Sequence, residues 1–272
     1  MSAFESATAI TVVERTASHG RFAGTIPDGW QQGKGAFGGL VIGILTRALV
    51  SYEEDRSRTL RSLNADLLVA ALPGPVTVDV SVLRRGANVS FLEARLEHNG
   101  VLVARAGATL AAPRSIDPSP IVDALPLPQV EPLPPWADMP VLPVEPPLGP
   151  VFATHYQYRS RALPFSGGTR AFATGWIRER VPPVTLDEAA VIGLLDAWWP
   201  TSLSVDTRPR ATVTVGFTMQ LVKAPGTLDP NVPLFYRAHG IGCGENFFVE
   251  MRELWSGGEV VALNQQTFSI LT

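Results

Sequence analysis

Val41-Ile42-Gly43-Ile44-Leu45-Thr46-Arg47-Ala48-Leu49 and, 150 positions later, Val191-Ile192-Gly193-Leu194-Leu195-Asp196-Ala197-Trp198-Trp199 read as two versions of one segment. Each is predicted to be a helix, apolar nearly all round, and such a helix belongs inside a protein rather than on its surface. The first opens at Gly38-Gly39. The second is predicted to open with a capping box, in which the Thr185 hydroxyl accepts from the Glu188 amide while Glu188 reaches back.

The repeat extends outward from these helices in both directions. Ser62–Leu72 and Thr212–Val222 are strand-like and are followed by Pro73-Gly74 and Pro225-Gly226. Val76–Leu83 then corresponds to Leu234–His239, Val89–Glu97 to Asn246–Leu254, and Val101–Leu110 to Val260–Ile270. A β-rich leader precedes each helix: Ile10–Phe22 in the first half, Val151–Arg161 with Ala171–Ile177 in the second. Each half therefore reads as strand, buried helix and antiparallel meander. A long helix wrapped by a curved antiparallel sheet is the hot-dog arrangement, and two tandem copies make an α+β double hot-dog with its sheets joined edge to edge.

Proline marks the boundary between the copies. Residues 113–150 carry 13 of the 24 prolines, which excludes a helix or a central strand there and favours extended backbone. Because this segment also holds Val130, Leu133, Trp136, Val141 and Leu142, it is expected to be an ordered surface strap. The units are then 1–112, a proline-rich strap at 113–150, and 151–272.

Composition narrows the function. The chain has 272 residues, 46% hydrophobic and 17% charged, with a formal net charge of -3, which gives no electrostatic case for nucleic acid. A lone Cys243 excludes a disulfide framework and any multi-cysteine metal site. No charge-free stretch reaches the roughly 18 residues of a membrane span, and Met1–Val13 has no basic n-region. The expectation is a cytoplasmic protein without a signal peptide.

The glycines Gly38-Gly39 and Gly43 at the first helix, then Pro73-Gly74, Arg84-Arg85-Gly86 and the terminal Val261-Ala262-x-x-x-Gln266, resemble the double hot-dog acyl-CoA thioesterases of the bacterial thioesterase II type. The likeness covers the chain apart from the strap. It implies hydrolysis of a fatty or related acyl-CoA to free acid and coenzyme A by activated water, with no metal or redox cofactor. Because one chain already holds two hot-dogs, the minimal paired unit, further assembly into a homo-oligomer, a dimer or tetramer, is expected.

The halves differ where chemistry could sit. Asp196 stands at the position of Thr46, Thr212 at that of Ser62, and Gln266 at that of Ala108. The resemblance assigns Asp196, Thr212 and Gln266 to the water-activating triad, with Thr214 a rival for the hydroxyl. Asp196 is the only charge between Ala189 and Pro200, so burial should raise its pKa unless hydrogen bonds favour the charged form. The competing reading is an Asp196 that merely pairs with a core arginine. The resemblance also puts the oxyanion hole and substrate contacts at the first helix end, on Phe37, Gly38 and Gly39, although those glycines could equally serve close packing. Arg84 and Arg85 could meet the coenzyme phosphates or form a solvated turn.

Other readings are weaker. Gly33–Gly38 matches G-x-G-x-x-G, but no buried strand precedes it. There is no G-x-S-x-G elbow, and the four histidines lack ligand spacing. A non-catalytic acyl-CoA or lipid-binding protein remains an alternative. A hot-dog hydratase or dehydratase is disfavoured because neither predicted helix carries a histidine.

Overall fold

The computed structural model of the chain describes residues 1–114 and 134–271. The first half contributes β1 (Ile10–Arg15), β2 (His19–Ile26), a small hairpin of β3 (Gln31–Gln32) and β4 (Gly35–Ala36), then β5 (Thr59–Leu67), β6 (Gly74–Arg85), β7 (Val89–His98) and β8 (Val101–Ala111). The second contributes β9 (Val141–Leu142), β10 (Tyr156–Arg159), β11 (Phe172–Glu179), β12 (Thr212–Leu221), β13 (Leu234–Gly244), β14 (Phe247–Ser256) and β15 (Glu259–Ile270). All but the small hairpin join one 13-stranded sheet in the order β1-β2-β6-β7-β8-β5-β12-β15-β14-β13-β11-β10-β9. The halves meet edge to edge where β5 pairs antiparallel with β12, Ala65 opposite Phe217.

Inside the sheet lie α2 (Gly38–Tyr52) and α3 (Glu188–Asp196), packed against each other. Every residue of α3 from Ala189 to Asp196 is buried, as are most of α2. A short α1 (Ala3–Ala7), absent from the sequence reading, wedges Phe4 against both helices. Its Ser2–Glu5 capping box is formed. A Cβ at Gly43 or at Gly193 would stand 2.8 Å from the Phe4 ring, so the glycine repeated in each helix makes room for one shared aromatic. This common contact confirms the pairing of the helices at an offset of 150.

Two details differ from expectation. The N-cap of α3 is Asp187, not Thr185: its side chain accepts from the Ala190 amide at 2.8 Å. That helix also stops at Asp196 instead of running through Trp199. Pro200 disfavours helical backbone at the residue before it, and a 3₁₀ turn follows at Thr201–Ser204. The second helix is thus short, and Asp196 sits at its end. Of the strap, Val130 and Leu133 lie outside the described residues. Its remaining part is ordered: Trp136 is covered by the Arg159 guanidinium at 4.8 Å, Trp176 donates to the Pro134 carbonyl at 2.7 Å, and β9 extends the sheet.

Strand register gives a sharper alignment of the halves than the sequence did. The pairing of Leu92 with Ala108 recurs 158 residues later as Glu250 with Gln266, and the register shift after Val82 recurs after Gly240. This supports Ala108 as the counterpart of Gln266. The shift between Leu60 and Ser62 recurs between Thr214 and Gly216, 154 residues on. Ser62 therefore matches Gly216 rather than Thr212, because the helix-to-strand connection is four residues longer in the second half. Leu60, fully buried, is the counterpart of Thr214.

Candidate active site

A cavity of about 280 Å³ opens between the first turn of α2, the Leu67–Ala71 segment, the start of β12 and the end of α3. Gly38, Asp196, Thr212, Thr214, Trp198, Arg252 and Phe268 are among its lining residues. Two halves of the chain thus build one pocket. Leu67–Ala71 was expected to continue a strand; instead β5 ends at Leu67 and the next residues turn into the pocket wall.

Asp196 is 8% exposed. Its Oδ1 accepts from Gln266 Nε2 at 2.8 Å, and the Gly39 amide also donates to the carboxylate. Its Oδ2 lies against Gly38, where a Cβ would come within 3.0 Å. Glycine at that position leaves the carboxylate and the helix start in direct contact. The fully buried Gln266 also donates to Asn264 Oδ1 at 3.1 Å, while Asn264 Nδ2 donates to the Thr218 carbonyl at 2.9 Å. With the Asn264 amide group so committed, only its oxygen can face Gln266. That fixes the Gln266 –NH₂ toward Asp196 and turns its Oε1 toward Thr214, whose hydroxyl donates to it at 3.4 Å.

Of the two candidate hydroxyls, Thr214 is therefore the one in contact with the Asp196–Gln266 pair. Thr212 lines the same cavity two residues earlier. The register shift at Thr214/Gly216 explains this placement: it lets Thr214, opposite Phe268, and Phe217, opposite Gln266, both face inward despite their odd spacing.

Burial pushes the Asp196 carboxyl above the ordinary aspartate range; Arg252, the Gln266 amide and the Gly39 N–H pull it back, and Glu250 adds to the rise. Arg252 and Glu250 were not singled out from the sequence. Arg252 Nη1 lies 3.8 Å from Asp196 Oδ1, and its Nε is 2.6 Å from Glu250 Oε1. The competing reading of Asp196 as an arginine partner is thus half right. The arginine is there, but the carboxylate also faces a cavity and holds a glutamine.

The start of α2 has no side-chain cap, so its first amides look for partners elsewhere. Gly39 uses Asp196, whereas the Gly38 N–H has no partner among the described residues. Phe37 does not line the cavity. Its amide donates to the Trp30 carbonyl at 2.8 Å and its ring stacks on Phe152 at 3.9 Å, so it anchors the helix start to the second half. Arg84 and Arg85 are not brought to the cavity either. Arg85 lies 3.7 Å from Glu53 and over the Tyr52 ring, at the far end of α2, about 20 Å of helix from Gly38. Arg84 lines a separate surface hollow.

Comparison with known proteins agrees with this architecture. Residues 26–111 match the acyl-CoA thioesterase N-terminal domain, and residues 127–270 match the acyl-CoA thioesterase C-terminal domain. Among solved structures, a conserved protein of unknown function with hot dog fold from Alicyclobacillus acidocaldarius superposes with a TM-score of 0.87 at 23% identity, covering 100% of this chain and 99% of that one. An acyl-CoA thioesterase II from Mycobacterium marinum superposes with a TM-score of 0.76 at 16% identity, covering 99% and 98%. No curated protein shows a significant match. At these identities the structural neighbours speak for the hot-dog fold. The two domain matches say more: they cover both halves in order, and by them the chain belongs to the acyl-CoA thioesterase family and hydrolyses acyl-CoA thioesters.

Proposed function

We propose that Asp196 is the general base of this hydrolysis and that Gln266 and Thr214 position the attacking water. The observation that carries the reading is the 2.8 Å bond from Gln266 to Asp196 at the wall of a cavity that also exposes the start of α2. Gln266 Nε2 occupies Asp196 Oδ1, which leaves Oδ2 facing Gly38. A water held there donates one hydrogen to Oδ2 and the other to Gln266 Oε1, so its lone pair aims at the thioester carbonyl. The water oxygen bonds to the carbonyl carbon as Asp196 takes a proton. The Gly38 N–H, backed by the positive end of α2, receives the developing oxyanion. Collapse of the tetrahedral intermediate breaks the carbon–sulfur bond, and the departing thiolate takes the proton from Asp196. Thr212 stands in the wall as a second hydroxyl beside the substrate.

The fold that supports this is a double hot-dog of units 1–112 and 151–272 joined through the strap. The substrate is a fatty or related acyl-CoA. We further propose a cytoplasmic enzyme that assembles as a dimer or tetramer, a state light scattering would read directly. Free-thiol release across a series of acyl chain lengths tests the mechanism. Asp196→Asn should lower kcat by about 10²–10⁴-fold with the fold retained. Turnover near the wild-type rate in that variant would remove Asp196 from the role of base.

A further inference from the structure

The two halves of the chain act as an internal control on what the site needs. By strand register, Leu92, Ala94, Ala106 and Ala108 of the first half are the counterparts of Glu250, Arg252, Asn264 and Gln266. All eight are buried. One half fills these positions with apolar side chains, and the other fills them with a charged and hydrogen-bonded array. Buried ion pairs of this kind are weak contributors to stability, because desolvation offsets their attraction. The same sheet positions in the first half show that the fold does not require them.

We propose that Arg252 is a positioning residue of thioester hydrolysis, fixed by Glu250 so that its guanidinium stands beside Asp196 without capping it. The geometry is specific. Arg252 Nε is held by Glu250 Oε1 at 2.6 Å, and Nη1 donates to the Leu195 carbonyl at 2.9 Å. Glu250 is held in turn, its Oε2 accepting from the Thr201 amide at 2.7 Å and hydroxyl at 2.8 Å. The guanidinium also lies over the Phe268 ring at 5.4 Å. Its nearest approach to Asp196 is 3.8 Å, beyond hydrogen-bond reach. The charge therefore favours an ionised Asp196 without Arg252 itself occupying a carboxylate oxygen. A direct bidentate pair would instead block the base.

The other groups facing Asp196 cannot substitute for Arg252. Gln266 from β15 and the Gly39 amide from α2 are neutral. Tyr156 and Tyr158 from β10 and Tyr236 from β13 are held protonated, burial raising each phenol well above its ordinary value. Glu250 is a like charge and opposes ionisation of Asp196. Arg252 is the one cation facing the carboxylate among the described residues.

This inference rests on Asp196 being the base, and the test separates the two. The pH dependence of kcat and KM is measured for wild type, Arg252→Gln, Arg252→Lys, Glu250→Gln and Asp196→Asn. Arg252→Gln should move the acid limb of kcat upward by about 1–3 pH units, with KM changed less than threefold, and Arg252→Lys should restore part of that shift. Glu250→Gln, nearly isosteric, should move the limb downward because it removes the like charge, and it gives the reading even if Arg252→Gln does not fold. Opposite movements are not produced by a merely structural role. An acid limb unmoved in Arg252→Lys and Glu250→Gln overturns the proposal for Arg252, provided Asp196→Asn is inactive. A limb persisting in an active Asp196→Asn overturns the assignment of the base itself.

Discussion

A carboxylate at the closed end of an apolar helix is useful only if it stays ionised at the working pH. Asp196 is raised by burial and lowered by Arg252, Gln266 and Gly39, with a net upward shift. If Asp196 is the base, as proposed, the ionised form is the active one, and turnover should fall on the acid side with an apparent pKa above the ordinary value of about 3.9, and stay level through neutrality. None of the four histidines lines the cavity, so substituting each of them should leave the limb in place; a limb that vanishes in one histidine variant would move the base role there. Gln266→Glu should be poorly active at neutral pH, since a second carboxylate 2.8 Å from Asp196 raises one of the two pKa values. Asp196 was legible as the one charge in an apolar helix, and Gln266 as the amide that stands where the first half has Ala108, at the end of Val261-Ala262-x-x-x-Gln266. Thr214 could not be separated from Thr212, because a register shift decides which side chain reaches Gln266 and such a shift leaves no mark in composition. Glu250 and Arg252 were missed for a related reason. In Phe248-Val249-Glu250-Met251-Arg252-Glu253 an apolar-inward pattern would bury Val249 and Met251, whereas the register buries Glu250 and Arg252. Aligning β14 with β7 by strand pairing rather than by residue type would have found them.

At the scale of elements, the helices and most strands follow from periodicity, and the errors fall where an element ends. The α3 terminus was misplaced because tryptophans extend an apolar pattern that Pro200 had already closed. The N-terminal α1 was missed although Ser2 and Glu5 spell a capping box, since five residues carry no period. That short helix has a titratable neighbour. Glu179, at the end of β11, is 5% exposed, with Oε1 lacking a hydrogen-bond partner. Burial raises its pKa to about 7, against opposing hydrogen bonds from the Ser2 hydroxyl and the Phe4 amide. The folded state therefore holds a proton that the unfolded chain releases near pH 4.5. The contribution of Glu179 to stability should be full below that value and be lost as pH rises toward about 7, on the order of 3 kcal/mol. Glu179→Gln should flatten this decline and raise Tm above pH 7. Chemical denaturation from pH 4.5 to 8 reads the slope directly, and equal slopes in both proteins would free Glu179 from this role.

At the scale of the whole molecule, the duplication offers two helix-end pockets and equips one. Beside Asp196, the start of α2 has no cap from its own N-cap residue and presents Gly38 to a cavity. At the other end of the helix pair, Asp187 caps α3 with its own side chain and is held by Arg47 at 2.6 Å. Thr46, in the place of Asp196, donates its hydroxyl to the Ile42 carbonyl at 2.8 Å and has no amide partner like Gln266, because Ala108 stands there. A hollow of about 390 Å³, more open to solvent than the cavity at Asp196, does exist at that end, between Thr46 and Glu188-Ala189. It has no uncapped helix start to receive an oxyanion, its base position holds a threonine, and α1 packs beside it. The expectation is therefore one working site per chain, built from the first half's helix start and the second half's polar array. Titration with a non-hydrolysable thioether analogue of an acyl-CoA should give one equivalent bound per chain. Thr46→Val should leave kcat within about twofold, since its hydroxyl serves only the helix backbone. Two equivalents bound, or turnover remaining in Asp196→Asn and lost on adding Thr46→Val, would show that the second pocket also works.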